Sequence, residues 1–199
     1  EFRRVLFRSF SVGYMTTFEV LDAFNADWGF SWWDVGANTL GSALYLGQEL
    51  AWQDQKFKMK FSAHNSGLAP YRPNVLGSDF ASRILKDYNG QTNWISFNPI
   101  TLFKEDSKIP KWVNMSIGYS IQDQLIGDGG TYVVQDGSGS QINFEPYRQW
   151  YLSFDVDWED IPVKSKALKV LLRTINIVKV PFPAMEFSNR GVKFRPFYF

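Results

Sequence analysis

Four polar side chains near the start of the chain are the candidates for chemistry. Asp34 and Asn38 lie four positions apart within residues 31–52, which are mostly small and apolar, and Glu19 and Asp22 precede them. A separation of four places two side chains on the same face of a helix. Carboxylates held close together raise the pKa of one of them, which both general acid–base chemistry and cation binding use. The four residues are therefore a candidate polar cluster between two helices.

A structural role is the alternative for the same residues. Asp34 stands three positions after Ser31, where a carboxylate completes a capping box at a helix N-terminus. Asn38 would then bridge two packed helices by hydrogen bonding. We favour this structural interpretation, so we predict no catalytic residue. Glu19, Asp22, Asp34 and Asn38 remain a candidate binding cluster.

The composition limits the chemistry further. The 199 residues include no Cys, which excludes disulfides, thiolate nucleophiles and the usual structural zinc sites. The single His, His64, argues against a His-based triad and is expected to be a satisfied surface residue. Lys plus Arg number 21 and Asp plus Glu 20, so no overall charge favours nucleic acid. We predict no metal, no cofactor and no nucleic-acid partner.

Two helices must position the polar cluster. Residues 11–25 have apolar residues at helical spacing, and a second helix is predicted from Trp32 to about Gln55. The middle of the second helix contains Gly36, Ala37, Gly41, Ala43 and Gly47. Each Gly costs about 1 kcal/mol relative to Ala, and close approach of another helix is the usual compensation. We therefore predict a helical hairpin over 10–56, preceded by a probable non-native leader at 1–9.

Residues 57–199 have the pattern of a sheet. The segments 113–121 and 150–158 each alternate apolar and polar residues without interruption. This alternation predicts antiparallel strands with one apolar face and one solvated face, and Asp155 and Asp157 are expected on the solvated face.

The fold class is therefore predicted to be α+β. Two packed N-terminal helices precede a mainly antiparallel β-sheet, which either stays open or curls into a small partial barrel. Helices are expected near 79–88 and near 164–178. The second of these is amphipathic, and we favour a helix that covers the sheet over one that lies on a membrane.

Several segments together resemble a known family. They are TTFEVLDAFNADWGFSWWDVGANTLGSALYLGQEL, YRPNVLGSDFASRILKDYNGQTNWIS, KIPKWVNMSIGY and the ending FRPFYF. They look like the uncharacterised envelope family that includes the YfiM lipoproteins, in its Bacteroidota form. The first helices also resemble the VanZ-type membrane motif, in which an acidic residue, an Asn and a following Gly recur, as here in Asp34, Asn38 and Gly41. The family has no established activity, so the resemblance implies a location and no reaction.

The expected function is that of a non-enzymatic, membrane-associated protein of the bacterial cell envelope, at the outer membrane or a periplasm-facing membrane. Its expected partners are membrane lipid or another envelope protein. Nine-residue alternating strands with aromatic ends have the length of tilted transmembrane strands. Two alternatives stay open: a membrane-embedded enzyme or small-ligand binder that uses the acidic cluster, and a soluble lipid-binding sheet that encloses an apolar cavity.

Overall fold

The chain divides into two units, Glu1–Lys56 and Phe57–Phe199, in a computed structural model. The structure describes residues 32–103, 110–127, 129–135 and 141–199, apart from the side chains at 33, 34, 102 and 103. These residues form a mixed α and β structure whose largest component is an antiparallel sheet of six strands.

The first unit contains helix α1, Trp32–Trp52. The predicted helix over 11–25 lies outside the described residues, so the expected packing of two helices stays a prediction. No helix in the part of the chain that the structure describes combines the length and the hydropathy needed to cross a membrane.

The second unit is built on the large sheet. The described residues of this unit form eight strands: β1 Phe57–Ala63, β2 Gln91–Phe97, β3 Val113–Gln122, β4 Tyr132–Gln135, β5 Gln141–Phe144, β6 Tyr147–Val156, β7 Phe182–Ser188 and β8 Gly191–Tyr198. Six of them form one sheet in the order β1-β2-β3-β6-β7-β8, and every neighbouring pair is antiparallel. Because β1 and β8 are its two edges, the sheet is not closed into a barrel.

Strands β4 and β5 pair with each other as a separate two-stranded sheet. This hairpin was not predicted from the sequence. The hairpin has its own apolar core, made of Leu68, Ala69, Leu76, Leu125 and Phe144. The residues of this core come from the segments between β1 and β2 and between β3 and β6. None of them belongs to a strand of the large sheet.

Four further helices connect the strands: α2 Pro73–Leu76, α3 Phe80–Lys86, α4 Pro99–Phe103 and α5 Lys166–Ile175. Helix α3 begins at a reciprocal capping box, in which Asp79 accepts from the Ser82 amide and Ser82 Oγ accepts from the Asp79 amide. Helix α5 begins at Ser165, whose hydroxyl accepts from the Leu168 amide. A 3₁₀ turn, Trp158–Asp160, joins the end of β6 to the segment before α5.

The large sheet is strongly curled. The side chain of Lys60 on β1 reaches Asp155 on β6 at 2.8 Å, although two strands separate β1 from β6 in the sheet order. Tyr151 on β6 stacks on Tyr198 on β8, with ring centroids 4.1 Å apart. Contacts of this kind require one face of the sheet to be concave. We call it the inner face, and the opposite one the outer face.

Candidate functional site

The outer face of the large sheet is apolar and exposed. Its central row crosses all six strands, since each member pairs with the next, and consists of Met59, Ile95, Ile117, Leu152, Met185 and Phe194. These side chains keep between 36 and 62% of their surface exposed. A sheet that packs its apolar face on helices would bury this row. The row is therefore not buried under α5, the helix that we expected to cover the sheet.

Aromatic residues lie in the rows above and below the central row. Phe57 and Phe97 pair across β1 and β2, with ring centroids 5.5 Å apart. At the other end, Tyr119 and Trp150 pair across β3 and β6, with centroids 4.9 Å apart. On β3 every outward residue from Val113 to Ile121 is apolar or aromatic, which corresponds to about 27 Å of strand. The outer face is thus an apolar band with aromatic side chains on both sides of its central row.

The inner face is polar and buried, which is the reverse of the prediction. Its buried polar members include Lys60, Ser62, Thr92, Ser96, Asn114, Ser116, Ser120, Gln149, Ser153, Asp155 and Glu186. Asp155 and Asp157, which we expected on a solvated face, are 2% and 3% exposed. The prediction was wrong because alternation distinguishes two faces of a strand but does not say what covers each of them.

The buried charges of Lys60 and Asp155 on the inner face are paired. Lys60 Nζ lies 2.8 Å from Asp155 Oδ2 and donates to the Val156 carbonyl at 2.7 Å. Ser96 Oγ donates to the same carboxylate oxygen at 2.6 Å. Asn114 Nδ2 in turn donates to Ser96 Oγ at 3.1 Å. Pairing of this kind offsets the large cost of taking charges out of water, so the inner face is held by a connected polar network.

A second lysine, Lys179, enters the inner face from the segment between α5 and β7. Its ammonium donates to Ser153 Oγ and to the carbonyls of Phe154 and Val180, at 2.8 to 3.2 Å. The same ammonium lies 4.6 Å from the centre of the Trp94 ring. Burial lowers the pKa of Lys179 to about 8, partly opposed by the charge of Asp155.

Three aromatic residues fill the middle of the inner face. Trp94 lies 5.9 Å from Tyr151 and 6.0 Å from Tyr198, ring centre to ring centre. The Trp94 indole donates to Ser62 Oγ at 2.8 Å. Gly118 lies directly under Trp94. A Cβ at this position would come within 2.7 Å of the indole ring, so the close approach requires glycine. Burial raises the pKa of both Tyr151 and Tyr198 above the ordinary value, so these side chains remain neutral.

A cavity of about 420 Å³ opens near the C-terminal end of β8, beside His64, Tyr198, Arg190 and Arg195. Both arginines are already engaged, Arg195 with Glu186 and Arg190 with Asp123, each at 2.8 Å. His64 is half-buried and its Nδ1 lacks a hydrogen-bond partner within the described ranges, contrary to our expectation of a satisfied surface residue. Burial lowers the pKa of His64 below 6.5.

The inner face is filled by the polar and aromatic side chains described above. Within the described residues, no three His, Asp or Glu side chains are placed to hold a metal ion. Its lining is polar, so it does not form the enclosed apolar cavity that a soluble lipid-binding sheet needs. The feature with a functional implication is instead the exposed apolar band on the other side.

The predicted polar cluster falls largely outside what the structure describes. Glu19 and Asp22 precede the described residues, and Asp34 is described only as a backbone position in α1. Asn38 lies one turn further along α1 and is half-buried. The cluster therefore stays a prediction.

Residues that the sequence analysis missed are the ones that hold the inner face, above all Lys60, Trp94 and Lys179. A signal for them was present. Lys58 and Lys60 are two positions apart on β1, and Asp155 and Asp157 are two positions apart at the end of β6. The two segments therefore carry complementary charges with the same period. Both pairs form, since Lys58 Nζ also lies 2.8 Å from Asp157 Oδ2.

Comparisons with known proteins add no identification: no protein-family model matches the sequence, and no curated protein or solved structure matches it either. The resemblance to the YfiM-like envelope family stays a prediction.

Proposed function

We propose that the protein is a non-enzymatic component of the bacterial cell envelope whose large sheet contacts membrane lipid through its outer face. The central row of six apolar side chains, exposed on every strand of the sheet, is the observation that carries this proposal. Water-soluble monomers rarely expose a contiguous apolar patch larger than a few hundred Å², because such a surface drives association. Lipid is a solvent in which the same surface is stable.

The arrangement of residues along the strands supports lipid as the covering medium. The outward residues of β3 extend for about 27 Å, and a strand tilt of about 40° reduces this to about 20 Å along the membrane normal. The Phe57–Phe97 and Tyr119–Trp150 pairs lie in the rows on either side of the central row and add apolar surface to the band.

The edges of the sheet set a condition on the proposal. An unpaired backbone group in hydrocarbon costs several kcal/mol, so a sheet edge needs a partner there. Part of the β1 edge has one, since the amide of Phe61 donates to the Ile177 carbonyl and the amide of Lys179 donates to the Phe61 carbonyl. Among the described strands β8 has one neighbour, β7. The proposal therefore includes a partner along β8, supplied by another envelope protein.

The location follows from the same reasoning together with the resemblance. Strands that face lipid are typical of the bacterial outer membrane, and the resemblance is to an envelope family. We accordingly propose the outer membrane rather than another periplasm-facing membrane. The predicted hairpin of residues 10–56, with its two packed helices, is proposed as a separate unit of the same envelope protein.

Fractionation of native cells gives the first test. The membrane pellet is extracted with carbonate and then with detergent, and recovery of the full chain only in detergent supports the proposal. Release by carbonate refutes it.

A second test locates the lipid. The full chain, purified in detergent, is reconstituted in vesicles with and without brominated acyl chains, which quench the fluorescence of tryptophan that touches them. The chain has 8 Trp, so paired variants identify the source of the quenched signal. We expect Trp150→Phe, on the outer face, to remove a large part of the quenching, and Trp94→Phe, on the inner face, to leave it unchanged. Equal quenching in both variants would refute a lipid-covered outer face.

A further inference from the structure

We propose that helix α5 lies on an anionic membrane surface, with its apolar face among the lipid chains and its basic face at the headgroups. This inference depends on the proposed contact of the large sheet with lipid. It adds a second lipid-binding element and a preference for negatively charged lipid.

The apolar face of α5 is largely exposed in the part of the chain that the structure describes. Leu168, Leu171 and Ile175 share one face at helical spacing, and none of the residues of α5 is buried. Ile177 and Val178, which follow the helix, are more than half exposed. A helix that covers a sheet would bury this face, so our prediction of a covering helix was wrong. The exposed apolar surface needs another medium.

The opposite face of α5 is basic. Lys166, Lys169 and Arg173 recur there, and Lys164 precedes the helix, all of them exposed. The nearby acidic side chain of Glu159 is already shared between Arg173, at 3.1 Å, and Lys58, at 3.3 Å. A strongly amphipathic helix with Lys and Arg on its polar face is the form that interfacial helices take on anionic lipid. Charge complementarity therefore selects an anionic bilayer surface as the occupant.

Both ends of the α5 segment are fixed to the large sheet. Before the helix, the amide of Asp157 donates to the Trp112 carbonyl. After it, Asn176 Nδ2 donates to Asp157 Oδ1 at 3.0 Å, and Asn176 Oδ1 accepts from the Trp158 amide at 2.9 Å. The Phe61 bridge to Ile177 and Lys179 then holds the following segment on the β1 edge. The helix is thus placed at the end of β6, where the outer apolar band ends.

A position of this kind suits an interfacial helix. If the outer band is immersed in lipid, an element attached at the end of the band lies at the level of the headgroups. The Lys and Arg stems would extend along the boundary, with their charges at the phosphates. The sheet supplies the attachment, and α5 supplies the sensitivity to lipid charge.

The absence of Cys makes the test specific, because a single introduced Cys carries a single label. The full chain is labelled with an environment-sensitive fluorophore at Leu171→Cys, on the apolar face of α5, or at Leu152→Cys, in the outer band. Each protein is reconstituted in vesicles of phosphatidylcholine alone and in vesicles that also contain phosphatidylglycerol. We expect a blue shift for the Leu152 label in both, and for the Leu171 label mainly with phosphatidylglycerol.

Charge removal supplies the matched control. Near an anionic surface each lysine increases the partition coefficient into the membrane about fivefold. The double variant Lys166→Gln, Lys169→Gln is therefore expected to lower the ratio of membrane-bound to free α5 by about twentyfold to thirtyfold. Lys86→Gln with Lys193→Gln removes the same charge from exposed positions elsewhere and is expected to have no such effect.

The outcomes separate the two proposals. A Leu152 label that enters lipid together with a Leu171 label that stays in water overturns the role of α5 and leaves the proposed function intact. A Leu171 label that enters both kinds of vesicle equally overturns the preference for anionic lipid. A Leu152 label that stays in water overturns the proposed function itself.

Discussion

The sharpest consequence of a lipid-covered outer face concerns a charge placed at its centre. Ile117 is the middle of five outward positions on β3, with Val113 and Ile121 each about 14 Å away along the strand. In a bilayer, Ile117→Lys puts an ammonium near the midplane, which costs about 2–4 kcal/mol of the free energy of unfolding. In water the same change at a 43% exposed position costs about 0.5 kcal/mol, since the lysine stem keeps the existing contacts.

The assay is urea unfolding of the full chain in phosphatidylcholine vesicles, followed by fluorescence, for the parent protein and for Ile117→Lys. Asn93→Lys is the matched control, because Asn93 is outward and exposed on β2 but lies opposite Tyr119, one row nearer the end of the band. We expect a smaller loss for this control than for Ile117→Lys, because Asn93 is already polar and the cost of a lysine falls towards the interface. Equal losses in the two variants, or a loss of about 0.5 kcal/mol in both, would contradict the proposal.

Three further predictions concern the inner face. Gly118→Ala brings a Cβ within 2.7 Å of the Trp94 ring, so we expect a loss of about 1–3 kcal/mol in the free energy of unfolding, measured by urea titration. Asp155→Ala leaves Lys60 buried without its partner and should cost about 3–5 kcal/mol, whereas replacing both residues by apolar ones should restore much of the loss in the same assay. Lys179 has its pKa lowered by burial to about 8 when folded and an ordinary value of 10.5 when unfolded, so the unfolded chain binds more protons between these values. Stability should therefore rise with pH in this window, by no more than about 1.4 kcal/mol per pH unit, and the rise should disappear in Lys179→Met.

Alternation in the sequence was enough to find the long strands and their direction. The segment 113–121 lies within β3, and most of 150–158 lies within β6. The reversal of the two faces could not be read in the same way. Along one strand, the apolar residues recur at every second position whether protein or lipid covers them. Only the curl of the sheet decides which of its two faces is enclosed.

The residue types of the inner face did contain a usable signal. Small polar residues dominate it, including Ser62, Ser96, Ser116, Ser120 and Ser153, with Gly118 among them. A concave face has less room than the convex one, so small side chains are needed on it, and a few large ones such as Trp94 fill the space they leave. The cross-sheet ion pairs are different, because they join strands that are not neighbours and depend on how tightly the sheet curls.

The two faces of the large sheet contribute differently to its stability. Hydrogen bonds on the inner face contribute only about 0.5–1.5 kcal/mol each after desolvation, and a buried ion pair such as Lys60–Asp155 is close to neutral in net stability. Much of the apolar surface of the sheet lies on the outer face, where it stays exposed, and the buried cluster of Trp94, Tyr151, Ala184 and Tyr198 is small. Pairs such as Lys60–Asp155 favour one register and curl of the sheet, since each of these two charges has one suitable partner. They cannot replace the hydrophobic term, so the large sheet should reach its full stability only where the outer face is covered.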